Sequence, residues 1–374
     1  MSRLSMTLRV VAASVIGAVV LAIGGAAAFG GIDQVRARVA AGPVVPAGFT
    51  VTLFAAAPAG LTHPDDITRL NGDTFVSYQN ANADGTPVGA QSTVVEFAAD
   101  GAVINHWNLT GRCDGLTADP RSQRVLATLN EDANSSLAVI RPKADPGAQL
   151  RLLAYSPDPA TVSGGGTDAL TIFDGAIYVS ASNPSGNTVP AMYRLTVPRH
   201  GATAYLEPVF ADDAQAAQGN GGTSGTTMLN LSDPDSNAAV PASSPRFAHD
   251  LVLDSQADSQ LVFASQPGTP EQSLTLLNLA GGPQVDDVRW ADTSGGDLYA
   301  VDQQADQIWL IRGPFPAGAA YASIPAGSPM AGTVGRVDLS SGAVSPFATG
   351  LLSPKGLLYV GGDERLHETG DGGD

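Results

Sequence analysis

The chain has 374 residues, including 43 Gly and 26 Pro, with 43% hydrophobic residues, 15% charged residues and a formal net charge of −17. This apolar fraction excludes a disordered chain, and the Gly residues lack the three-residue period of collagen. An acidic chain with lysine only at Lys143 and Lys355 is a poor partner for nucleic acid or anionic lipid.

The amino terminus has the order of a secretory signal. Residues 1–9 carry two arginines and no acid, and residues 10–31 form an uncharged apolar run. The small residues at 26–28 predict cleavage after Ala28, giving a signal peptide over 1–28, whereas the length of the run also allows an uncleaved membrane anchor. We therefore expect a secreted or extracytoplasmic protein that contacts a membrane only if this segment stays attached.

After the signal, residues 29–46 are predicted to be a flexible tether, residues 47–366 the folded domain and residues 367–374 a disordered tail. The length alone allows two domains or one large all-β domain. The single cysteine, Cys113, excludes an intrachain disulfide, so stability must come from core packing.

From residue 47 onward, short apolar or alternating runs are separated by turn clusters such as 71–73 and 173–175. This pattern is typical of strands and hairpins, and no sustained helical period interrupts it. The sequence predicts an all-β fold.

A repeated strand start organises the domain. An acidic residue followed two positions later by an aliphatic one opens an apolar run, and a second β-rich run follows after a turn. The starts are Asp65, Asp114, Asp168, Asp250, Asp286 and, with Lys in place of Asp, Lys355.

Six starts predict a six-bladed β-propeller with four-stranded antiparallel blades. An orphan strand at 49–54 predicts a ring closed by pairing of the N- and C-terminal strands, which removes a sheet edge. Uneven spacings are attributed to insertions at 213–245 and 313–332, and the fourth blade has three strands or borrows residues 226–231. The alternative is two stacked β-sandwich domains linked near 213–245.

The steps Pro64-Asp65-Asp66-Ile67, Cys113-Asp114-Gly115-Leu116 and Pro354-Lys355-Gly356-Leu357 resemble those of the NHL-repeat and SMP-30/gluconolactonase-like six-bladed propellers. The resemblance covers roughly residues 47 to 366. It implies a binding site at the mouth of a central channel. In the lactonase members this site holds a divalent cation, usually calcium, which is bound by a Glu, two Asn and an Asp. This sequence has Asp65 and not Glu in the first repeat, and no Asn at the corresponding strand starts.

If the six strand starts occupy equivalent positions, they bring five carboxylates and one amine together at one funnel-shaped channel mouth. Crowded carboxylates need a cation or protons, and hard oxygen ligands suit Ca²⁺. The candidate metal ligands are Asp65, Asp114, Asp168, Asp250 and Asp286. The alternative is that each repeated Asp caps backbone N–H groups of the neighbouring blade.

Three residues are candidate catalytic groups. Lys355, the break in the acidic repeat, either pairs with a neighbouring Asp or contacts a substrate carbonyl. His63 and His249 precede the first and fourth starts, where a His beside an Asp can act as general base or metal ligand or can cap a loop.

The candidate ligand-binding residues are Asn80, Asn130 and Asn183, which sit with Glu131 and Asp302 at the ends of second strands; a plain loop role is the alternative for each. Asp233, Asp235 and Asn237 have the alternating oxygen spacing of calcium loops, but lack the Gly and distal Glu of an EF-hand. They form either a local calcium site or a turn-rich surface loop.

Two functions fit this sequence. The first is a monomeric, exported propeller that binds a small molecule of sugar or lactone type, with calcium-dependent lactonase or esterase activity as its enzymatic form. The second is a non-enzymatic scaffold that binds another cell-envelope protein through the two insertions. Fold alone does not choose between them.

Overall fold

The structure is a computed structural model that describes residues 42–80, 91–131, 134–184 and 188–362. The predicted signal peptide, the tail and most of the tether lie outside these residues. The regular secondary structure of the described residues is almost all β-strand in mainly antiparallel sheets, which confirms the all-β class. Its helical segments are α1 (Pro159–Val162) and two 3₁₀ turns, Pro146–Ala148 and Gln303–Ala305. None of them has the length and apolarity to span a bilayer.

The strands, numbered along the chain, form six units that each start from an inner strand. Units I to III follow the chain in order. Unit I contains β2 (Pro64–Leu70), β3 (Asp73–Tyr78), β4 (Gln91–Phe97) and β5 (Val103–Thr110). Unit II contains β6 (Cys113–Asp119), β7 (Arg124–Leu129), β8 (Ser136–Ile140) and β9 (Leu150–Ser156). Unit III contains β10 (Thr167–Phe173), β11 (Ala176–Ala181), β12 (Pro190–Thr196) and β13 (Thr203–Ala211). Parallel pairing of β9 with β13 joins units II and III into one eight-stranded sheet.

Unit IV gains two short outer strands. From the inner strand outward it contains β16 (Pro234–Ala239), β17 (Leu251–Ser255), β18 (Gln260–Ser265), β19 (Ser273–Asn278), β14 (Gln215–Gln218) and β15 (Thr226–Met228). The predicted insertion at 213–245 therefore supplies three strands, including the inner one. Unit IV also takes an outer strand from residues 226–231, as one of the two sequence interpretations predicted, and this strand lies at the outer edge of its sheet.

Units V and VI are interleaved along the chain. Unit V contains β20 (Asp287–Trp290), β23 (Ala320–Ile324), β24 (Thr333–Val337) and β25 (Val344–Thr349). Unit VI contains β26 (Pro354–Gly361), β21 (Gly296–Asp302), β22 (Gln307–Gly313) and β1 (Thr50–Ala56). The chain thus leaves unit V after one strand, builds the middle of unit VI and then returns.

Two expectations about these units are corrected. The second β-rich run after the Asp286 start, residues 298–301, was expected to pair with the strand that begins there. It pairs instead with β26 and β22, because the hairpin β21–β22 crosses to the next unit. The N- and C-terminal strands β1 and β26 share a sheet but lie at its opposite edges, separated by β22 and β21. The predicted insertion at 313–332 contributes β23.

The inner strands β2, β6, β10, β16, β20 and β26 each lie at the edge of their sheet, and each packs beside two others in a closed cycle. An apolar cluster fills the space between each pair of neighbouring units; between IV and V, for example, Phe263 meets Trp290 edge-on. Second strands such as β7 are buried on both faces and read as continuous apolar runs, whereas the outer strand β5 alternates.

The turn between β4 and β5 also touches the N-terminal strand. Gly101 adopts φ +83°, and a Cβ there would overlap the carbonyl oxygen of Phe54 in β1. The turn therefore holds units I and VI together at a position that only glycine fits.

We expect Gly101→Ala to lower the free energy of unfolding by about 1–3 kcal/mol more than Gly60→Ala does. Gly60 has a similar φ of +86° but open space around its Cβ position, so it controls for backbone strain alone. Urea unfolding of both variants measures the difference, and equal losses would contradict the proposed contact between β1 and the β4–β5 turn.

Candidate functional site

Each inner strand begins with two residues that oppose a single residue on its partner strand. In β2, Asp65 and Asp66 lie between the pairs Pro64–Tyr78 and Ile67–Val76, and so face Ser77 alone. The same irregularity recurs in β6, β10, β16 and β26. A bulge of this kind lets two successive side chains turn toward one side, here toward the centre of the ring.

These bulges surround a cavity of about 280 Å³. The first bulge position supplies Asp65, Asp114, Asp168, Asp235, Asp286 and Lys355, and the second supplies Asp66, Gly115, Ala169, Ser236, Asp287 and Gly356. With Glu131 and Asp233, nine carboxyl groups line the cavity, together with the cations Arg112, Arg289 and Lys355.

Four of the five predicted metal-ligand candidates reach this cavity, and Asp250 does not. β16 runs away from the cavity to Ala239, and Asp250 lies in the return connection at the far end, where Leu251 pairs with Ala239. Asp235 takes the fourth position instead. The Asp233 to Asn237 segment is accordingly the start of an inner strand, and Nδ2 of the fully buried Asn237 donates to the Ala169 oxygen at 2.8 Å.

Glutamine amides at the ends of second strands hold the first-position carboxylates. Gln79 Nε2 donates to Asp114 at 2.8 Å, and Gln303 Nε2 donates to Asp65 at 2.8 Å. Gln256 Nε2 bridges Asp235 at 2.6 Å and Asp286 at 3.1 Å. Each amide reaches the carboxylate of the next unit around the ring, so these contacts fix the acids and tie the units together.

In unit II a carboxyl group replaces the glutamine. Glu131 lies beside Asp168, and burial first and the charges of Asp235 and Glu131 next raise the pKa of Asp168 well above its ordinary value. Arg112 lies beside Glu131 at 3.3 Å and Asp114 at 3.2 Å. This side of the cavity therefore combines an aspartate whose neutral form is favoured with a guanidinium.

On the opposite side, the Lys355 ammonium contacts the Asp286 carboxylate, as one of the sequence interpretations predicted. Burial alone would lower the pKa of Lys355, but Asp286, Asp65 and Asp235 together raise it, so the ammonium stays charged. Burial raises the pKa of Asp65 to about 7, with Lys355 acting in the opposite direction. This carboxyl group can change protonation near neutral pH.

The expected capping role belongs to the second bulge position. Asp66 Oδ2 accepts from Leu116 N at 2.6 Å, and Asp287 Oδ2 accepts from Leu357 N at 2.7 Å. Both bonds join an inner strand to the inner strand of the next unit. Arg289 lies 2.9 Å from Asp287 Oδ1.

The two histidines do not line the cavity and lie at different ends of their units. His63 precedes β2 and donates its backbone N–H to Asp306 at 2.7 Å, whereas His249 sits in the far connection beside Asp250. Both have positive φ angles, 55° and 66°. His63 thus lies outside the cavity that Asp65 lines, and His249 keeps its acid neighbour Asp250, but that pair lies outside the cavity as well.

Of the three predicted asparagines, only Asn183 lines the cavity. Asn80 and Asn130 have φ of 53° and 61°, and their side-chain oxygens accept from Thr62 N at 3.3 Å and Arg112 N at 2.9 Å. They fasten loops, because Asn tolerates the left-handed conformation. Their sequence neighbours Gln79 and Glu131 face the cavity instead.

Asp254 departs from the repeat behind the cavity wall. The residues opposite the bulges of units I, II and V are Ser77, Thr128 and Ser323, whose hydroxyls accept the freed N–H at 2.8–3.0 Å. At this position unit IV has Asp254, which is fully buried and has no hydrogen-bond partner for either oxygen within the described chain. Burial first, then Asp286 and Asp287, raise its pKa well above the ordinary value.

Calcium fits the donor chemistry of this cavity but not its arrangement. Within the described ranges, no three His, Cys, Asp or Glu side chains are placed to hold a metal ion. Lys355 already occupies the acid ring and contacts Asp286. The residues as arranged do not form a calcium ligand set.

Neither a protein-family profile nor a curated protein matches the chain. Among solved structures, the periplasmic gluconolactonase of Pseudomonas aeruginosa is 14% identical, with TM-score 0.46 over 79% of this chain and 88% of that chain. A putative 6-phosphogluconolactonase from Bacteroides fragilis is 9% identical, with TM-score 0.43 over 84% and 98%. A calcium structure of a Trichoderma reesei carbohydrate-active enzyme of family AA12 is 12% identical, with TM-score 0.40 over 85% and 94%. Likeness at this level assigns no activity to this chain.

We expect Asp254→Ser, which introduces the hydroxyl found at this position in units I, II and V, to raise the free energy of unfolding by about 1–3 kcal/mol. The pKa of Asp254 is higher in the folded protein than in the unfolded chain. The free energy of unfolding of the unaltered protein therefore falls as the pH rises through the folded-state pKa of this residue. The gain in the variant should therefore be larger at about pH 8 than at about pH 4.

Urea unfolding at the two pH values measures this gain. Asp145→Ser, at an exposed acid outside the cavity, is the matched control. A destabilised Asp254→Ser at both pH values would show that Asp254 makes a stabilising contact.

Proposed function

We propose that the protein is a six-bladed β-propeller whose acid-lined cavity binds a small polar molecule of the sugar or lactone class. The closed cycle of six inner strands supports the propeller, because each unit extends outward from the ring and is separated from the next by an apolar layer. Units I to VI are then the blades.

The convergence of all six strand starts on one cavity carries this proposal. A polyol needs acceptors for its hydroxyl protons and donors for its ring and carbonyl oxygens, and the cavity offers carboxyl groups beside amides and three cations. Its volume of about 280 Å³ lies near the lower end of ligand pockets, at roughly 300 Å³, which favours a compact ligand.

The enzymatic form of this function is hydrolysis of a lactone or ester. Asp65, with a pKa of about 7, would take a proton from water as that water attacks the carbonyl carbon. The Lys355 ammonium would stabilise the negative charge on the carbonyl oxygen. The C–O bond to the alcohol oxygen then breaks, and that oxygen receives the proton from Asp65.

The competing function, a cell-envelope scaffold, was based on two loop insertions as a contact face. Strands β14, β15, β16 and β23 lie in those segments, so the segments are built into the sheets and are not plain loops, and the scaffold function stays a prediction from the sequence. Export and a monomeric state remain predictions from the sequence.

We expect calorimetric titration with glucono-δ-lactone or gluconate to detect binding that Asp235→Asn weakens about tenfold or more, through loss of a charged acceptor. Asp250→Asn, a matched change at the residue that lies outside the cavity, should leave the affinity unchanged. Equal losses in the two variants, or no binding of any compound in a panel of sugars and lactones, would contradict the proposed ligand class.

A resident calcium ion is the competing proposal for the charge balance of the cavity. We expect millimolar calcium to leave the melting temperature unchanged, because Lys355 already neutralises the ring, and to raise it in Lys355→Met. Lys143→Met is the control, since Lys143 is the other lysine and lies outside the cavity. A calcium-dependent rise in the unaltered protein would show that the ion binds beside the lysine.

A further inference from the structure

A second cavity, of about 330 Å³, lies farther along the same inner strands. All six inner strands contribute to its wall, through residues beyond the bulges such as Thr68, Thr117, Thr171 and Leu358. It therefore lies on the ring axis, and the acidic cavity lies toward the other end of the same inner strands.

The wall of this second cavity is more apolar than that of the first. It is formed by aliphatic side chains, three threonines and the rings of Trp290 and Tyr359. Its charged residues are Arg289 and the exposed Asp292. Such a mixed wall suits a molecule that has a large apolar part and a polar group.

Trp290 contributes to this wall and packs edge-on against Phe263 in the layer between units IV and V. The residue is 4% exposed, and its indole nitrogen is buried, with no hydrogen-bond partner in the described part of the chain. The indole therefore gives the cavity an apolar surface and no accessible donor.

Arg289 lines both cavities. Its guanidinium lies 2.9 Å from Asp287 and donates to the Asn237 oxygen at 3.1 Å, and the side chain is 22% exposed. It is thus held at the boundary between the acidic and the apolar end. A ligand in the second cavity would meet a positive charge at its inner end.

We propose that the second cavity is a binding site for a small aromatic or other largely apolar molecule that carries an anionic or carbonyl acceptor. The apolar part lies against the aliphatic wall and the ring of Trp290. The acceptor faces Arg289, which also contacts Asp287 at the acidic cavity.

The test uses 8-anilinonaphthalene-1-sulfonate, an aromatic sulfonate whose fluorescence rises in apolar surroundings. We expect saturable binding at one site per chain in the folded protein. Thr171→Phe and Thr117→Phe, which fill the cavity from different strands, should each weaken binding at least tenfold. Thr196→Phe, at an exposed position at the end of β12, should not.

Arg289→Gln removes the positive charge from the wall of the cavity, and we expect it to weaken binding of the sulfonate about two- to tenfold. Asp235→Asn should leave the affinity for this probe unchanged, which separates this site from the acidic cavity. Thermal unfolding of each variant confirms that it is folded. Binding that survives both filling substitutions, fails to saturate at one site, or is lost in Asp235→Asn would overturn the proposal.

Discussion

Crowding nine carboxyl groups around one small cavity is the constraint on which the centre of this protein depends. Full ionisation would be costly in a buried space, and the structure offsets the repulsion in three ways. Glutamine amides donate to Asp65, Asp114, Asp235 and Asp286. Lys355 and Arg112 add positive charge. Protonation is the third way, because burial and the neighbouring acids raise the pKa of Asp168 well above its ordinary value. The acids that make the cavity suitable for a polar ligand therefore also require amide and cationic side chains beside them.

The bulge at the start of each inner strand links this electrostatic problem to the fold. By setting two residues against one, it presents one side chain to the cavity and leaves the next free to bond with the neighbouring unit. Asp66 and Asp287 use this second position to accept N–H groups of Leu116 and Leu357. One local irregularity thus serves both the site and the cohesion of the ring, which explains why acidic residues occur in succession there.

The strand-start motif predicted the ring of acids because its signal is local, an acid just ahead of an apolar run. The motif failed at Asp250 because the strand after it, β17, is more apolar than the true inner strand and has the sequence pattern expected of one. The inner strand β16 carries Ser236 and Asn237 and lacks that pattern. The end of a second strand is visible in sequence, but which of two successive polar residues faces inward depends on φ. Asn80 and Asn130 turn away in the left-handed conformation. The crossing of β21 and β22 to another unit depends on long-range pairing that no local pattern encodes.

That crossing has a consequence for synthesis and assembly. Unit V receives its first strand before the middle strands of unit VI are made, and its other three strands afterwards, while unit VI also needs β1 and the last strand β26. A ribosome releasing this chain in order completes unit V only when β25 has emerged and unit VI only when β26 follows. Truncation before β25 would therefore leave exposed edges on two sheets at once, a state prone to aggregation.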